Sequence, residues 1–211
     1  MKLYGFPPSP NTWKVRAVAA HLGVALDFVL VDLAAGQSRT PEFRALNPTG
    51  RTPVLIDGTF TLWESNAIMQ YLAGLAPNSL WPDDARRRAD IMRWQSWQLA
   101  HWGTKACEPL ILERLVKRIL GLGPPDADAV AKATEAFNFE ARVLDDHLRD
   151  HRCLVGDELT LADFSVAAPL FHAAPAELPL APFERVQEWF GRVSSLPAWR
   201  QTAPQLSAAA A

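Results

Sequence analysis

The alternation of short strand and helix signals in the first third of the chain constrains its fold more than any other feature. A short apolar run at residues 3–6 precedes a proline cluster, and apolar residues at helical spacing then continue to Gly23. The apolar run at residues 28–31, rich in β-branched residues, leads through a polar loop to a short helix that Pro41 can begin. The predicted order up to this point is strand, helix, strand, helix.

Two further strands are predicted at residues 53–56 and 59–62, on either side of Asp57-Gly58. That dipeptide suits the positive φ angles of a tight hairpin, and Ser65 can cap a helix that follows. The complete order, β-α-β-α-β-β-α, predicts a thioredoxin-like α/β domain. Its mixed four-stranded sheet combines a parallel βαβ half with an antiparallel ββα half, and helices cover it.

Strand signals fade after Ala85, and helical periodicity takes over. Residues 86–120 form one helical stretch, the Gly- and Pro-rich residues 121–125 interrupt it, and a second long helix follows around residues 130–148. Shorter helices are predicted at residues 161–170, at 183–194 and around Trp199. We therefore predict a thioredoxin-like domain at residues 1–77, a linker at 78–85 and an all-α domain at 86–211.

Composition excludes several classes of function. The formal net charge of -2 provides no strong field for nucleic acid or for an anionic membrane. Prolines near the N-terminus interrupt any signal-peptide core, and no later run is apolar enough to span a membrane, so we expect a cytoplasmic protein. Cys107 and Cys153 lack the C-x-x-C spacing of redox or zinc sites, so we expect no metal, and any thiol chemistry would have to come from a substrate.

Four segments, in this order, resemble the soluble glutathione transferases: GFPPSPNTWKVRA, VDLAAGQSRTPEFRALNPTGRTPVLIDG, LWESNAIMQYLA and LTLADFSVA. The resemblance to this cytosolic superfamily is closest to the phi, theta and nu-type classes and to bacterial serine-type members. It implies a glutathione S-transferase whose first domain binds glutathione as co-substrate and activates its thiol. The helical domain would then contribute a pocket for a hydrophobic electrophile, and the protein would form a homodimer.

Ser9 and Asn11 are the candidate catalytic residues. Ser9 follows two prolines and precedes a helix, so its hydroxyl can either cap that helix or lie beside an anion at the positive end of the helix dipole. The resemblance implies that Ser9 donates a hydrogen bond to the glutathione sulfur. Where phi-type enzymes have Ser-Thr or Ser-Ile, this chain has Ser9-Pro10-Asn11, which is similar to members whose asparagine amide assists or replaces the hydroxyl. Thr12 ranks third, and Tyr4 lies too early for a tyrosine mechanism.

The resemblance also implies the residues that hold the rest of glutathione. Thr52 would pair its backbone with the cysteinyl unit beside a cis Pro53, and Arg51 would reach a carboxylate or remain a solvated charge. Glu64 and Ser65 open a predicted helix that suits the γ-glutamyl end, unless Ser65 is only a cap. Arg39 would contact the glycyl end, although Ser38 replaces a histidine that phi-type members commonly carry there.

The electrophile pocket is assigned to Trp13, Trp94, Trp97 and His101. Tryptophans also serve as core or dimer contacts, and we expect that role for two of the four residues Trp94, Trp97, His101 and Trp102, which cluster on one predicted helix. His101 has no evident partner in the sequence, so we give it no acid-base role. Thr160 and Asp163 have the spacing of a capping box, which supports the fold and not the chemistry.

Two other functions remain open from the sequence. The same glutathione site could serve a reductive reaction, such as peroxide or disulfide turnover, or a thiolytic dehalogenation, without a protein cysteine. The alternative that is not an enzyme is a protein that binds glutathione or a hydrophobic ligand without catalysing a reaction.

Overall fold

The computed structural model describes residues 1–204, and these form two compact units. The first comprises Met1–Trp81 and the C-terminal segment from Leu196, and the second comprises Pro82–Ser195. The first unit has the predicted order: β1 (Lys2–Gly5), α1 (Pro10–His21), β2 (Asp27–Leu30), a 3-10 helix (Gln37–Arg39), α2 (Pro41–Leu46), β3 (Val54–Asp57), β4 (Phe60–Trp63) and α3 (Ser65–Gly74).

The four strands form one mixed sheet in the order β2-β1-β3-β4. β1 pairs in parallel with β2, while β3 is antiparallel to both β1 and β4. The thioredoxin-like topology predicted from the sequence is therefore confirmed. The hairpin turn lies one residue later than predicted, because Asp57 pairs with Phe60 and leaves Gly58 and Thr59 to form the turn.

Apolar residues of the sheet and of its covering helices form the core of this unit. Val31, Phe43 and Val54 make one buried cluster, and Tyr4 packs against it. Tyr4 therefore has a packing role.

A last helix, α10 (Pro197–Thr202), packs on α1 within the first unit. The ring centroids of Trp13 and Trp199 are 4.2 Å apart, and Trp13 Nε1 donates to Thr202 Oγ1 at 3.1 Å. The sequence prediction placed this segment in the helical domain, but local periodicity carries no information about which surface covers a tryptophan. Residues 205–211 of that predicted domain lie outside the described part, and the predicted domain bounds otherwise stay a prediction.

The second unit is helical. Residues 85–120 form an unbroken helical stretch that passes between α and π geometry, and the remaining helices follow after the predicted break. The elements are α4 (Ala85–Trp97), a π-helix (Gln98–Cys107), α5 (Glu108–Ile111), a π-helix (Leu112–Val116), α6 (Lys117–Leu120), α7 (Ala127–His147), α8 (Leu161–Ala167), a 3-10 helix (Ala168–His172) and α9 (Glu184–Ser194). The helical prediction is confirmed, whereas the wider π turns were not predicted.

The predicted capping box begins α8. Thr160 Oγ1 accepts from Ala162 N at 3.3 Å, and Asp163 Oδ2 accepts from Thr160 N at 2.9 Å. Asp163 also accepts from Leu154 N and from the indole of Trp189. Burial raises the pKa of Asp163, while these hydrogen bonds act in the opposite direction. The Asp163 carboxylate thus connects three segments: the loop before α8, the first turn of α8, and helix α9.

Glu113 links the π-helical segment at Leu112–Val116 to the start of α7. Its Oε2 accepts from Lys117 Nζ at 2.6 Å and from Asp126 N at 2.8 Å. The bond from Lys117 is the main cause that holds the pKa of Glu113 below its usual value, and the bond from Asp126 adds to it. A carboxylate with a lowered folded-state pKa stabilises the fold above its ordinary pKa and loses that contribution as the pH falls.

Replacing Glu113 with glutamine should lower the thermal unfolding midpoint at neutral pH. The difference from the wild type should shrink below the ordinary glutamate pKa of about 4.3, as the wild-type carboxylate takes up its proton. Thermal scans from neutral to acid pH measure both midpoints, with Glu135→Gln on the exposed side of α7 as the matched control. A difference that stays constant with pH would contradict this role for the carboxylate.

None of the helices within residues 1–204 combines the length and the apolar character that crossing a membrane requires.

Candidate functional site

Ser9 occupies the N-cap position of α1, but its side chain does not act as a cap. Its backbone is extended, and its carbonyl accepts from Trp13 N at 2.9 Å. Among the described residues, the Ser9 hydroxyl makes no capping hydrogen bond. The side chain therefore stays available at the positive end of the α1 dipole.

Thr12 holds the loop between β1 and α1. It is fully buried, and its hydroxyl accepts from Phe6 N at 3.3 Å. A Cβ at Gly5 would lie 2.4 Å from Thr12 Cγ2, so only glycine lets α1 approach β1 this closely. These contacts commit Thr12 to the structure of the loop.

Asn11 and Ser65 join the first turns of α1 and α3. Ser65 Oγ donates to Asn11 Oδ1 at 3.2 Å. Because Oδ1 is the acceptor in this contact, the amide nitrogen of Asn11 remains as a donor. The structure therefore brings together two residues that the sequence assigned separately to catalysis and to glutathione binding.

Glu64, and not Ser65, is the N-cap residue of α3. The cap predicted at Ser65 is therefore displaced by one position, because Ser65 is already the first helical residue, and its hydroxyl donates to Asn11. Glu64 has φ 72°, a left-handed conformation that costs a non-glycine residue about 1–3 kcal/mol. Such strained residues cluster at ligand sites, and this one leaves the exposed Glu64 beside the N–H groups that begin α3.

The loop before β3 contains the expected cis peptide, between Thr52 and Pro53. The buried side chain of Asn47 organises this loop. Its amide donates to Arg51 O at 2.7 Å, and its Oδ1 accepts from Thr49 N at 3.0 Å. Sequence reasoning missed this role, although the Asn47-Pro48 dipeptide indicates a turn.

Arg39 and Arg51 lie on adjoining segments of the first unit. Gly50 approaches the 3-10 turn at Gln37–Arg39 so closely that a Cβ on it would be 3.0 Å from Ser38 O. Both arginine side chains are exposed. Each guanidinium group is thus accessible to an anionic ligand group.

The four residues assigned to the electrophile pocket have different surroundings. Trp13 is buried beneath α10, and Trp94 is buried in the second unit with its ring 5.2 Å from that of Trp97 in a T-shaped pair. Trp97 is half-buried, and the His101 side chain is 44% exposed. Only Trp97 and His101 therefore retain surface that a ligand can contact.

His101 has a carboxylate neighbour that the sequence did not indicate. Glu140 on α7 places Oε1 3.8 Å from His101 Nδ1, and its Oε2 accepts from Trp97 Nε1 at 2.9 Å. Glu140 is far from both residues along the chain, so no local signal could have identified it. Trp102, by contrast, is a core residue whose indole donates to Val166 O at 3.0 Å.

The cysteines of the protein are unsuited to nucleophilic chemistry. Cys107 is fully buried, and burial raises its pKa well above the usual range. Burial likewise raises the pKa of Cys153 to about 11. Across residues 1–204, no group of three or more His, Cys, Asp or Glu side chains could hold a metal ion.

Two family models match the chain. The glutathione S-transferase N-terminal domain matches residues 1–74, and the glutathione S-transferase C-terminal domain matches residues 105–197. The chain belongs to the glutathione S-transferase family. The superfamily resemblance and the fold class predicted from the sequence are therefore confirmed.

Individual members of the glutathione S-transferase family match nearly the whole chain. Glutathione S-transferase 3 of Zea mays is 36% identical over 208 residues, which cover 96% of this chain and 92% of that protein. The crystal structure of glutathione transferase F7 from Populus trichocarpa has a TM-score of 0.87 at 26% identity, covering 96% of this chain and 97% of that one.

A theta class glutathione S-transferase from Xanthomonas axonopodis pv. citri, solved with glutathione bound, has a TM-score of 0.86 at 28% identity. The match covers 97% of each chain.

Proposed function

We propose that the protein is an enzyme that conjugates glutathione, through its thiolate, to a hydrophobic small-molecule electrophile. The observation that carries this proposal is the Ser9 hydroxyl, which is uncommitted at the N-terminus of α1 in a chain with both domains of the transferase family. The relative from Xanthomonas axonopodis, solved with glutathione bound, supports glutathione as the co-substrate.

Thiol activation is the main chemical task of the proposed site. A free cysteine thiol has a pKa of about 8.5, so only a few per cent is thiolate at neutral pH. Lowering that pKa by about two units requires roughly 2.7 kcal/mol of selective anion stabilisation. A hydroxyl hydrogen bond to a charged sulfur contributes about 1.5–3 kcal/mol, so Ser9 can supply most of this, and the amide nitrogen of Asn11 is a second donor.

The geometry of the first unit supports further proposed contacts with glutathione. Glu64 and the first turn of α3 suit the γ-glutamyl ammonium and carboxylate, because helix N-termini bind anions through free N–H groups. The Thr52 backbone beside cis Pro53 would pair with the cysteinyl unit. The exposed guanidinium groups of Arg39 and Arg51 are suited to the glycyl carboxylate.

The electrophile site and the assembly are also part of the proposal. Trp97 and His101 are the assigned pocket residues with accessible surface, while Trp13 and Trp94 are buried and would serve as packing residues. We propose a homodimer located in the cytoplasm. No observation in the described residues specifically favours the reductive, dehalogenating or binding alternatives.

Retention on immobilised glutathione, combined with turnover of a general aryl halide, tests the proposed function. We expect retention, elution by free glutathione, and formation of the thioether at a rate that depends on both substrates. Peroxide and a mixed glutathione disulfide serve as alternative substrates in parallel assays. Retention without aryl halide turnover would contradict the transferase proposal, in favour of a reductase if peroxide or disulfide is consumed and of a binding protein if neither is.

A further inference from the structure

Lys14 is a charged residue buried inside the first unit. It lies on α1, one turn after Asn11, and none of its surface is exposed. Its Nζ donates to Asn66 Oδ1 at 2.7 Å. Removing an ammonium group from water is unfavourable, and lysines are almost never fully buried unless they are paired.

Asn66 connects this lysine to the first turn of α3. It is the second residue of that helix and follows Ser65, which bonds to Asn11. Two consecutive residues of α3 are therefore held by two residues of α1 that are three positions apart and share one helix face. This double link orients the N–H groups that begin α3.

The charge of Lys14 has the sign that an anion site needs. A helix N-terminus already favours anions through its dipole and its free N–H groups. A cation hydrogen-bonded to the second residue of the helix adds a field of the same sign in a buried, poorly screened position. Both effects act on a carboxylate at the start of α3.

We infer that Lys14 is a positioning residue for the γ-glutamyl carboxylate of glutathione and acts through Asn66 on the first turn of α3. The inference rests on the proposed function, since it takes glutathione as the ligand. Lys14 does not touch the reacting sulfur, so its effect falls on glutathione affinity and not on the thiol pKa.

A comparison of two ligands tests the inference. The first is glutathione, and the second is the analogue 4-aminobutyryl-cysteinyl-glycine, which lacks only the γ-glutamyl α-carboxylate. Isothermal titration calorimetry would measure the dissociation constant of each ligand for the wild type, Lys14→Met, Lys14→Arg and Asn66→Ala. Lys132→Met, at an exposed lysine of α7, is the matched control.

Lys14→Met should weaken glutathione binding about tenfold, while binding of the analogue should weaken by less than about threefold. Asn66→Ala should weaken binding of glutathione more than binding of the analogue, but by a smaller factor, because it cuts the link to α3 and leaves Lys14 in place. Lys14→Arg should retain most of the affinity. The pKa of the bound thiol should stay at its wild-type value in all of them. This selectivity between ligands separates positioning from a general loss of structure, which would affect both ligands alike.

If the variants bind both ligands equally more weakly than the wild type, or bind neither more weakly, the inference is overturned and the proposed function stays intact. Wild-type protein that does not bind glutathione at all would instead overturn the proposed function, and the inference with it. If Lys14→Met does not fold, the Asn66→Ala result decides alone, because that variant cuts the same link from the side of α3.

Discussion

Ser9→Ala should raise the thiol pKa of bound glutathione by about one to two units. The variant loses the hydroxyl that would donate to the sulfur. A hydrogen bond to a charged acceptor contributes about 1.5–3 kcal/mol, and about 1.36 kcal/mol corresponds to one pKa unit. The thiolate fraction at neutral pH then falls, and kcat/KM for an aryl halide should decrease by about tenfold to a hundredfold. The side chain has no capping bond to lose, so stability should change little.

Ultraviolet absorbance of the bound thiolate, titrated against pH, measures this pKa directly. Ser96→Ala, at an exposed serine of α4, is the control for the substitution itself. Asn11→Ala separates the two candidate donors, since it removes the amide and also the acceptor of the Ser65 hydroxyl. A pKa that rises in Asn11→Ala alone would move the principal role from the hydroxyl to the amide.

An unshifted thiol pKa in the wild type would contradict thiol activation by either residue. In that event glutathione would be bound without being ionised, and the binding alternative would become the leading one.

Asp163→Ala should destabilise the helical unit by about 3–5 kcal/mol, the largest stability effect we expect from one substitution. The carboxylate accepts from the backbone of Leu154 and Thr160 and from the indole of Trp189, all in buried positions. Each donor left without an acceptor costs about 1–3 kcal/mol. Asp163→Asn should recover only part of the loss, because its amide nitrogen meets donors where an acceptor is required.

Thermal unfolding measures this effect, and a midpoint lower by roughly 10 °C is expected for a chain of this size. Asp157→Asn, at an exposed aspartate in the same loop, is the matched control and should stay within about 0.5 kcal/mol of the wild type. If the unfolding midpoint of Asp163→Ala falls no further than that of the control, packing alone holds together the loop before α8, the start of α8, and α9.

Local signals predicted the features that depend on neighbouring residues. The order of strands and helices follows from periodicity, and the Thr160 and Asp163 capping box is contained within four residues. Local signals did not predict contacts with residues far along the chain. Ser65 was predicted as a cap, but the helix begins at Ser65, so Glu64 holds the N-cap position, and the Ser65 hydroxyl donates to the distant Asn11.

The sequence by itself determined the order of elements, the two-part organisation and, through its motifs, the family. These depend on hydrophobic period, turn residues and short segments, which are properties of adjacent positions. Only the tertiary structure decided that α10 packs on α1, that Glu140 lies beside His101, and that Lys14 reaches Asn66. Each of these contacts joins residues far apart in the chain, and the fold alone selects which distant side chains meet.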